Sequence, residues 1–206
     1  MSVRRLSFVL TCTLIAGVAL VTSISGAQSK PSADLIAMLR QGGYVLVMRH
    51  ASSPREVPTA QTANADNPKL ERQLDQPGRA GAAAMGQALG DLKIPVGDVF
   101  TSPTYRALET VKYARLANAT PVAALGDGGQ SMQGVAEVDA AWLRAKAAEV
   151  PRRGNTIIVT HMPNLSGAFP AWGAVADGEA VVVRPDGQGG TTLIARVKIE
   201  EWSKMR

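Results

Sequence analysis

Tyr44-Val-Leu-Val-Met-Arg-His50 is an apolar run that follows two glycines and ends in a cation and an imidazole. A short apolar run bounded by glycine is typical of a β-strand that is buried on both faces of a sheet. In open α/β sheets, the functional groups gather at the carboxyl ends of the strands. The positions of Arg49 and His50 therefore predict a site at the end of a central strand.

The second of the chain's two histidines ends a similar run, Thr156-Ile-Ile-Val-Thr-His161. Two imidazoles that follow two buried strands are expected to meet at the same edge of one sheet. The alternative is that the two histidines are unrelated and only happen to close two strands.

Outward from these two runs, strand-like and helix-like segments alternate along the chain. Helices are predicted at 32–40, 77–91, 104–117 and 132–150, and strands at 44–50, 96–102, 121–125 and 156–160. Two further strand-like runs, 179–184 and 191–199, are joined by a glycine-rich turn and predict a hairpin. This order predicts one α/β domain, a three-layer α/β/α sandwich whose central sheet is mostly parallel and has an antiparallel edge hairpin.

Residues 1–27 have the pattern of a secretory signal peptide. Arg4 and Arg5 precede a long apolar run, which ends in the small residues Ser25-Gly26-Ala27. We expect cleavage after Ala27, a mature domain at 28–206 that is periplasmic or secreted, and no stable membrane insertion after cleavage. The alternative is an uncleaved anchor, because the apolar run approaches the length of a bilayer span.

The composition of the mature chain disfavours several classes of function. Removal of residues 1–27 takes away two arginines and no acid, so the net charge falls from +5 to +3. That charge is mild and forms no basic stripe, so nucleic acid is not an expected partner. The single cysteine, Cys12, lies in the removed segment, and two histidines alone are too few imidazole ligands for a typical zinc site. We therefore expect no metal and no cofactor.

The residues at the predicted strand ends suit phosphoryl transfer. Ser102 and Pro103 are expected to begin a helix, as N-cap and first residue, and that helix carries Arg106. Arginine forks bind phosphate oxygens in pairs and stay charged, while a neutral imidazole can attack phosphorus and form a covalent intermediate. Such catalysis depends mainly on positioning and electrostatic stabilisation.

Four stretches carry a resemblance to a known family: Val47–His50, Leu74–Arg79, Phe100–Thr110 and Ile158–His161. Together they resemble the histidine phosphatase superfamily, in its phosphoglycerate-mutase-like branch, and they follow the order of that family. The pattern Ser102-Pro-x-x-Arg-Ala-x-Glu-Thr110 makes the resemblance specific, since an Arg-His pair alone is common. The resemblance implies hydrolysis of a phosphomonoester through a phosphohistidine.

The resemblance also implies a role for each matching residue. His50 corresponds to the phosphorylated nucleophile, His161 to the second pocket histidine, and Arg49 and Arg106 to the arginines that bind phosphate. Glu109 is expected to be structural and to brace Arg106 from the same face of the helix.

The proton donor is where the sequence departs from the family. The second histidine is followed by Met162 rather than an acid, and the Leu-x-Glu pattern of this branch is matched only by Leu125-Gly126-Asp127. Asp127 is therefore the candidate acid, with Glu137 and Glu179 as alternatives. A plain turn residue beside Gly128 is the other interpretation of Asp127.

Three functions remain open from the sequence. The first is an exported phosphatase that acts on a small phosphorylated substrate or a phosphoglycan. The second is a phosphoprotein phosphatase that acts on phosphohistidine. The third is a non-catalytic module that binds phosphate or phosphoglycan, and the intact nucleophile argues against it.

In each case the polar segment 51–76, which leaves directly from His50, is expected to form a wall or lid of the pocket.

Overall fold

The computed structural model describes residues 32–54, 72–127 and 136–205. The predicted signal peptide and most of the predicted pocket wall at 51–76 lie outside these ranges. Within them, no helix combines the length and the apolar character that a membrane crossing requires.

Six strands of the described residues form one sheet, in the order β3-β2-β4-β1-β5-β6. They are β1 (Val45–Arg49), β2 (Val96–Thr101), β3 (Ala119–Pro121), β4 (Asn155–Thr160), β5 (Ala180–Pro185) and β6 (Thr191–Val197). Strands β1 to β4 run parallel, whereas β5 pairs antiparallel with β1 and β6 pairs antiparallel with β5. The predicted mostly parallel sheet with an antiparallel edge hairpin is confirmed.

Helices cover both faces of this sheet. They are α1 (Ser32–Gln41), α2 (Gln76–Asp91), α3 (Tyr105–Tyr113), α4 (Glu137–Ala147) and α5 (Met162–Ala168). Side chains of α1, α2 and α3 pack with Leu46 and Met48 of β1, while α4 and α5 pack with Val45 and Val47. Alternate residues of β1 thus enter two separate cores, which gives the three layers that the sequence predicts.

Two short elements differ from the prediction. The strand expected at 121–125 is β3, which ends at Pro121, and residues Ala123–Leu125 form a single 3₁₀ turn instead. The apolar character that suggested a strand there comes from Leu125, which is fully buried in the core beneath α4 and α5. Helix α5 was not predicted, because seven residues with a proline near the start give little periodic signal.

The first turn of α2 is locked to the loop that follows His50. Asp75 caps α2 by accepting a hydrogen bond from Gly78 N (2.7 Å), and Ser52 Oγ donates to the same carboxylate (2.7 Å). A Cβ atom at Gly78 would lie 2.0 Å from Ser52 O, so only glycine permits this approach. The loop after the candidate nucleophile is therefore held by a helix that starts 26 residues further along.

Candidate active site

The two histidines meet at one edge of the sheet. His50 follows β1 and His161 follows β4, and these strands are parallel neighbours in which Arg49 lies opposite Thr160. The ring centroids are 5.1 Å apart, and each residue is only 2% exposed. The sequence interpretation that they share a site agrees with this geometry.

His50 is oriented with one nitrogen toward the backbone and the other toward an arginine. Its Nδ1 lies 2.8 Å from Ala51 O, which can only accept, so Nδ1 carries the proton. Arg106 Nε donates to Nε2 across 3.2 Å. Burial, and then the charge of Arg106, lowers the pKa of His50 well below 6.5, although the Ala51 hydrogen bond opposes this. His50 is therefore neutral near pH 7, and its Nε2 lone pair accepts the hydrogen bond from Arg106.

His161 has the opposite tautomer. Arg106 Nη2 donates to its Nδ1 (3.1 Å), so the proton is on Nε2, which lies 2.8 Å from Ser102 Oγ and 3.0 Å from Thr104 Oγ1. Burial, and then Arg106, lowers the pKa of this imidazole as well. To donate to a phosphate from Nδ1, His161 must gain a second proton, or its proton must move from Nε2 to Nδ1 while Ser102 reverses its hydroxyl and donates to Nε2. The hydroxyls of Ser102 and Thr104 permit that reversal, because each can donate or accept.

Arg106 connects the other groups of the site. Its side chain is 4% exposed and contacts both histidines and the carboxylate of Asp127. It lies on the first turn of α3, whose N-cap position is Thr104 rather than the predicted Ser102. Ser102 Oγ accepts from Thr104 N (3.2 Å) and contacts His161 Nε2. Thr110 Oγ1, one turn on, donates to Arg106 O (2.8 Å) and accepts from Ala51 N (3.0 Å). That hydroxyl ties α3 to the end of β1.

Asp127 lies in the site. It is 5% exposed and forms an ion pair with Arg106, and the preceding Gly126 is held by a hydrogen bond from Asn164 Nδ2 to its carbonyl (2.9 Å). The two alternative acids make their contacts elsewhere. Glu137 is exposed and pairs with Arg144 of its own helix, whereas Glu179 binds Arg196 Nε (2.6 Å). The geometry favours Asp127 as the candidate acid.

Glu109 is structural, as expected, but its partner is not Arg106. Its carboxylate accepts from Leu74 N (2.9 Å), a backbone group 35 residues away in sequence. The expected brace within α3 is therefore wrong, because the buried amide of Leu74 would otherwise lack a partner.

Arg49 lies at the edge of the site and is paired with an acid. Its Nη2 is 2.8 Å from Asp177 Oδ1, and its Nη1 donates to Val175 O across 3.3 Å. The Arg49 charge contributes to the lowered pKa values of both His50 and His161. The predicted phosphate-binding role of Arg49 thus requires that a ligand compete with Asp177 for the guanidinium.

Arg72 is a basic residue near the site that the sequence interpretation missed. Its charge contributes to the lowered pKa values of both histidines. The available signal was its position, two residues before Leu74, where the matched stretch Leu74–Arg79 begins.

No three His, Cys, Asp or Glu side chains come together as a metal site in the ranges that the structure describes. The expectation that the reaction needs no metal stays a prediction, which chelation can test.

We expect the stability of the protein to fall as the pH drops below about 6.5, the unperturbed value for histidine. Both imidazoles have lowered pKa values in the folded state, so the unfolded chain binds more protons in this range. Each contributes a loss of about 1.4 kcal/mol per pH unit while only the unfolded form is protonated. Urea unfolding between pH 7.5 and 5 measures this slope. A flat profile in wild type, or an unchanged slope in His161→Gln, would contradict it.

Comparisons with known proteins bear on the fold of the chain. No family model matches the chain. No curated protein matches it either. Solved structures do, including the protein histidine phosphatase SixA complexed with tungstate, at a TM-score of 0.55 and 18% identity, over 77% of this chain and 98% of that one.

Two further solved structures resemble the chain to a similar extent. A protein assigned as an alpha-ribazole-5′-P phosphatase from Escherichia coli aligns with a TM-score of 0.55 at 13% identity, over 77% of this chain and 98% of that one. A mutant phosphoserine phosphatase from Entamoeba histolytica, in complex with phosphoserine, aligns with a TM-score of 0.53 at 10% identity, over 76% and 98%. These neighbours are histidine phosphatase superfamily members, so the chain has the fold of that superfamily, as its motifs predicted.

Proposed function

We propose that this chain is an exported phosphatase that hydrolyses a phosphomonoester through a phosphohistidine intermediate. The observation that supports the proposal most is the state of His50, a buried neutral imidazole whose Nε2 lone pair faces the guanidinium of Arg106. A neutral ring can attack phosphorus, and the adjacent guanidinium can hold the phosphoryl oxygens in line with it.

The reaction would proceed in two displacements. Once the phosphoryl oxygens replace Nε2 as acceptors of the Arg106 guanidinium, His50 Nε2 attacks phosphorus and the P–N bond forms. The bond to the ester oxygen breaks while Arg106 and Arg49 balance the charge on the phosphoryl oxygens. The leaving oxygen takes a proton from an acid, for which Asp127 is the candidate. Water then attacks phosphorus and gives a proton to the carboxylate left by the first step, the P–N bond breaks, and phosphate and neutral His50 are released.

Hydrolysis of p-nitrophenyl phosphate, with and without vanadate, tests the proposal against the non-catalytic alternative. A phosphatase is expected to turn over and to be inhibited by vanadate, whereas a binding module would bind phosphate without turnover.

Activity is also expected to survive EDTA, since the arginines and the imidazole supply the required charge and nucleophile. Loss on chelation with recovery on adding one metal ion would contradict that part.

Asp127→Asn is expected to slow hydrolysis of an alkyl phosphate by about 10²- to 10⁴-fold and to affect an aryl phosphate with a good leaving group far less. The reason is that an alkoxide needs a proton as it leaves, whereas a nitrophenolate does not. The comparison of kcat for the two substrates measures the effect. Equal effects on both substrates would assign Asp127 the role of holding Arg106. Glu137→Gln, the matching carboxylate-to-amide change at an exposed acid, serves as the control.

Phosphohistidine on a protein is the second candidate substrate. It is supported by one neighbour, which is described as a protein histidine phosphatase, and by Asp127, which is already paired with Arg106. Imidazole needs less help than an alkoxide to leave phosphorus, so a weak acid suffices. Comparison of kcat/KM for a phosphohistidine peptide, a phosphoserine peptide, a phosphorylated sugar and a phosphoglycan would separate these substrates.

Export is supported by the basic start, apolar run and small residues of 1–27. The mature protein is expected in the periplasm or medium with a new terminus at Gln28, so that the domain comprises 28–206. Intact-mass spectrometry of the protein from its native host checks this. Recovery of the Met1 terminus from the membrane fraction would indicate a retained anchor.

A further inference from the structure

We propose that Arg72 is a substrate-binding residue, a third guanidinium that donates to an oxygen of the phosphoryl group held over His50. The proposal rests on the phosphatase function proposed above and adds a contact that none of the four matched stretches contains. It is carried by the anchoring of the chain around Arg72, by the hydrogen bonds of its side chain and by the charges around it.

The chain beside Arg72 is fixed to both sides of the site. Leu74 N donates to Glu109 of α3 (2.9 Å), and Asp75 N donates to Ser52 O in the loop after His50 (3.1 Å). Leu74 itself is 2% exposed, so its side chain anchors the segment in the core as well. Because Arg106 lies on α3 and His50 begins that loop, the anchors set the position of Arg72 relative to both.

The side chain of Arg72 has an unused donor. Its Nη1 donates to Pro54 O at 3.4 Å, a long contact, and its Nε is buried with no hydrogen-bond partner among the described residues. A buried N–H without an acceptor is costly, and a phosphate oxygen in the site would supply one. The planar guanidinium can bind such an oxygen through Nε and one Nη together.

The charges around Arg72 favour an anion. Arg106 is paired with Asp127 and Arg49 with Asp177, whereas Arg72 forms no ion pair with any described carboxylate. Burial, and then repulsion from Arg106, lowers the pKa of Arg72, while Asp127 raises it. A guanidinium placed beside other guanidiniums is stabilised when a phosphate dianion binds among them. The phosphoryl group is the part of the substrate that carries this charge.

Binding of inorganic phosphate to the full mature protein, measured by titration calorimetry, tests the proposal without any turnover. Arg72→Ala is expected to weaken phosphate binding by roughly 10- to 100-fold, and Arg72→Lys by less, because one charge-assisted contact is lost or reduced. Arg153→Ala is the matched control. It removes one exposed arginine (71% exposed side chain) ahead of β4, at the opposite end of the strand from His161, and should bind as wild type does.

A second measurement separates binding from a structural role. Because the Arg72 charge lowers the His50 pKa, that pKa is expected to rise in free Arg72→Ala, as followed by NMR of the imidazole. If Arg72→Ala has lost the native melting transition, Arg72→Gln takes its place in both measurements. Folded variants that bind phosphate as tightly as Arg153→Ala overturn the proposal for Arg72.

The two proposals fail in distinguishable ways. Phosphate binding that depends on Arg72, in a protein that hydrolyses no phosphorylated substrate, overturns the phosphatase proposal and supports the binding role. Turnover with phosphate binding that is indifferent to Arg72 overturns only the binding role. Failure of wild-type protein to bind phosphate overturns both.

Discussion

The His50→Ala variant is expected to lose turnover and the covalent intermediate together. We expect kcat to fall by at least about 10⁴-fold, since the group that forms the new bond to phosphorus is removed. Rapid quenching of wild type with a labelled phosphate donor should trap an adduct that is labile in acid, stable in base and located on the peptide that contains His50. His50→Ala should show no adduct.

His161→Ala is the matched control for this experiment, because His161 is equally buried and also contacts Arg106. It should turn over slowly and should leave the label on the His50 peptide, since His50 and the adjacent Arg49 are both intact in this variant. Label on the His161 peptide of wild type would reverse the two assignments. An acid-stable ester on serine would exclude a phosphohistidine.

The second large effect is expected at the buried pair of Arg106 and Asp127. Arg106→Met should abolish activity and lower the free energy of unfolding by about 3–5 kcal/mol, because it leaves a buried carboxylate without its partner. Arg106→Met combined with Asp127→Asn should recover most of that stability, since neither charge is then left buried alone. Activity should not return, because the guanidinium that contacts both histidines is still absent.

Urea unfolding of the wild type, the two single variants and the double variant measures this coupling. The exposed pair of Arg144 and Glu137 is the control, with side chains that are 39% and 79% exposed. Arg144→Met is expected to change stability by less than about 1 kcal/mol. A double variant as unstable as the sum of its single variants would show that the buried pair contributes no coupling.

The parts of the fold that the sequence predicted best are those with strong local signals. The strand that leads to His50 is an uninterrupted apolar run after glycines, which leaves few alternatives for its conformation. β3 was misplaced because an edge strand of three residues, none of them buried, has almost no hydrophobic pattern. Helix α5 was missed because Met162-Pro-Asn164 looks like a loop when read alone.

Four predicted site residues lie together because each ends or follows a strand, or lies in the first turn of a helix, at one edge of the sheet: Arg49, His50, Arg106 and His161. What the sequence could not predict depends on contacts between distant residues. The tautomer of His161 is set by Arg106, 55 residues away, and the position of Arg72 is set by the bond from Leu74 to Glu109. The alternative acids Glu137 and Glu179 were separated from Asp127 only by their ion pairs with Arg144 and Arg196.

The hydrogen bond between Glu109 and Leu74 has a mechanical consequence. Arg106 and Glu109 are one turn apart on α3, so the helix that carries Arg106 into the site also binds the backbone at Leu74. Thr110, on the same turn, accepts a hydrogen bond from Ala51 N, directly after His50. A tilt or slide of α3 would therefore move Arg106, the backbone at Leu74 and the chain after His50 together. The site cannot be opened by moving that helix without also displacing Arg106 from the two histidines.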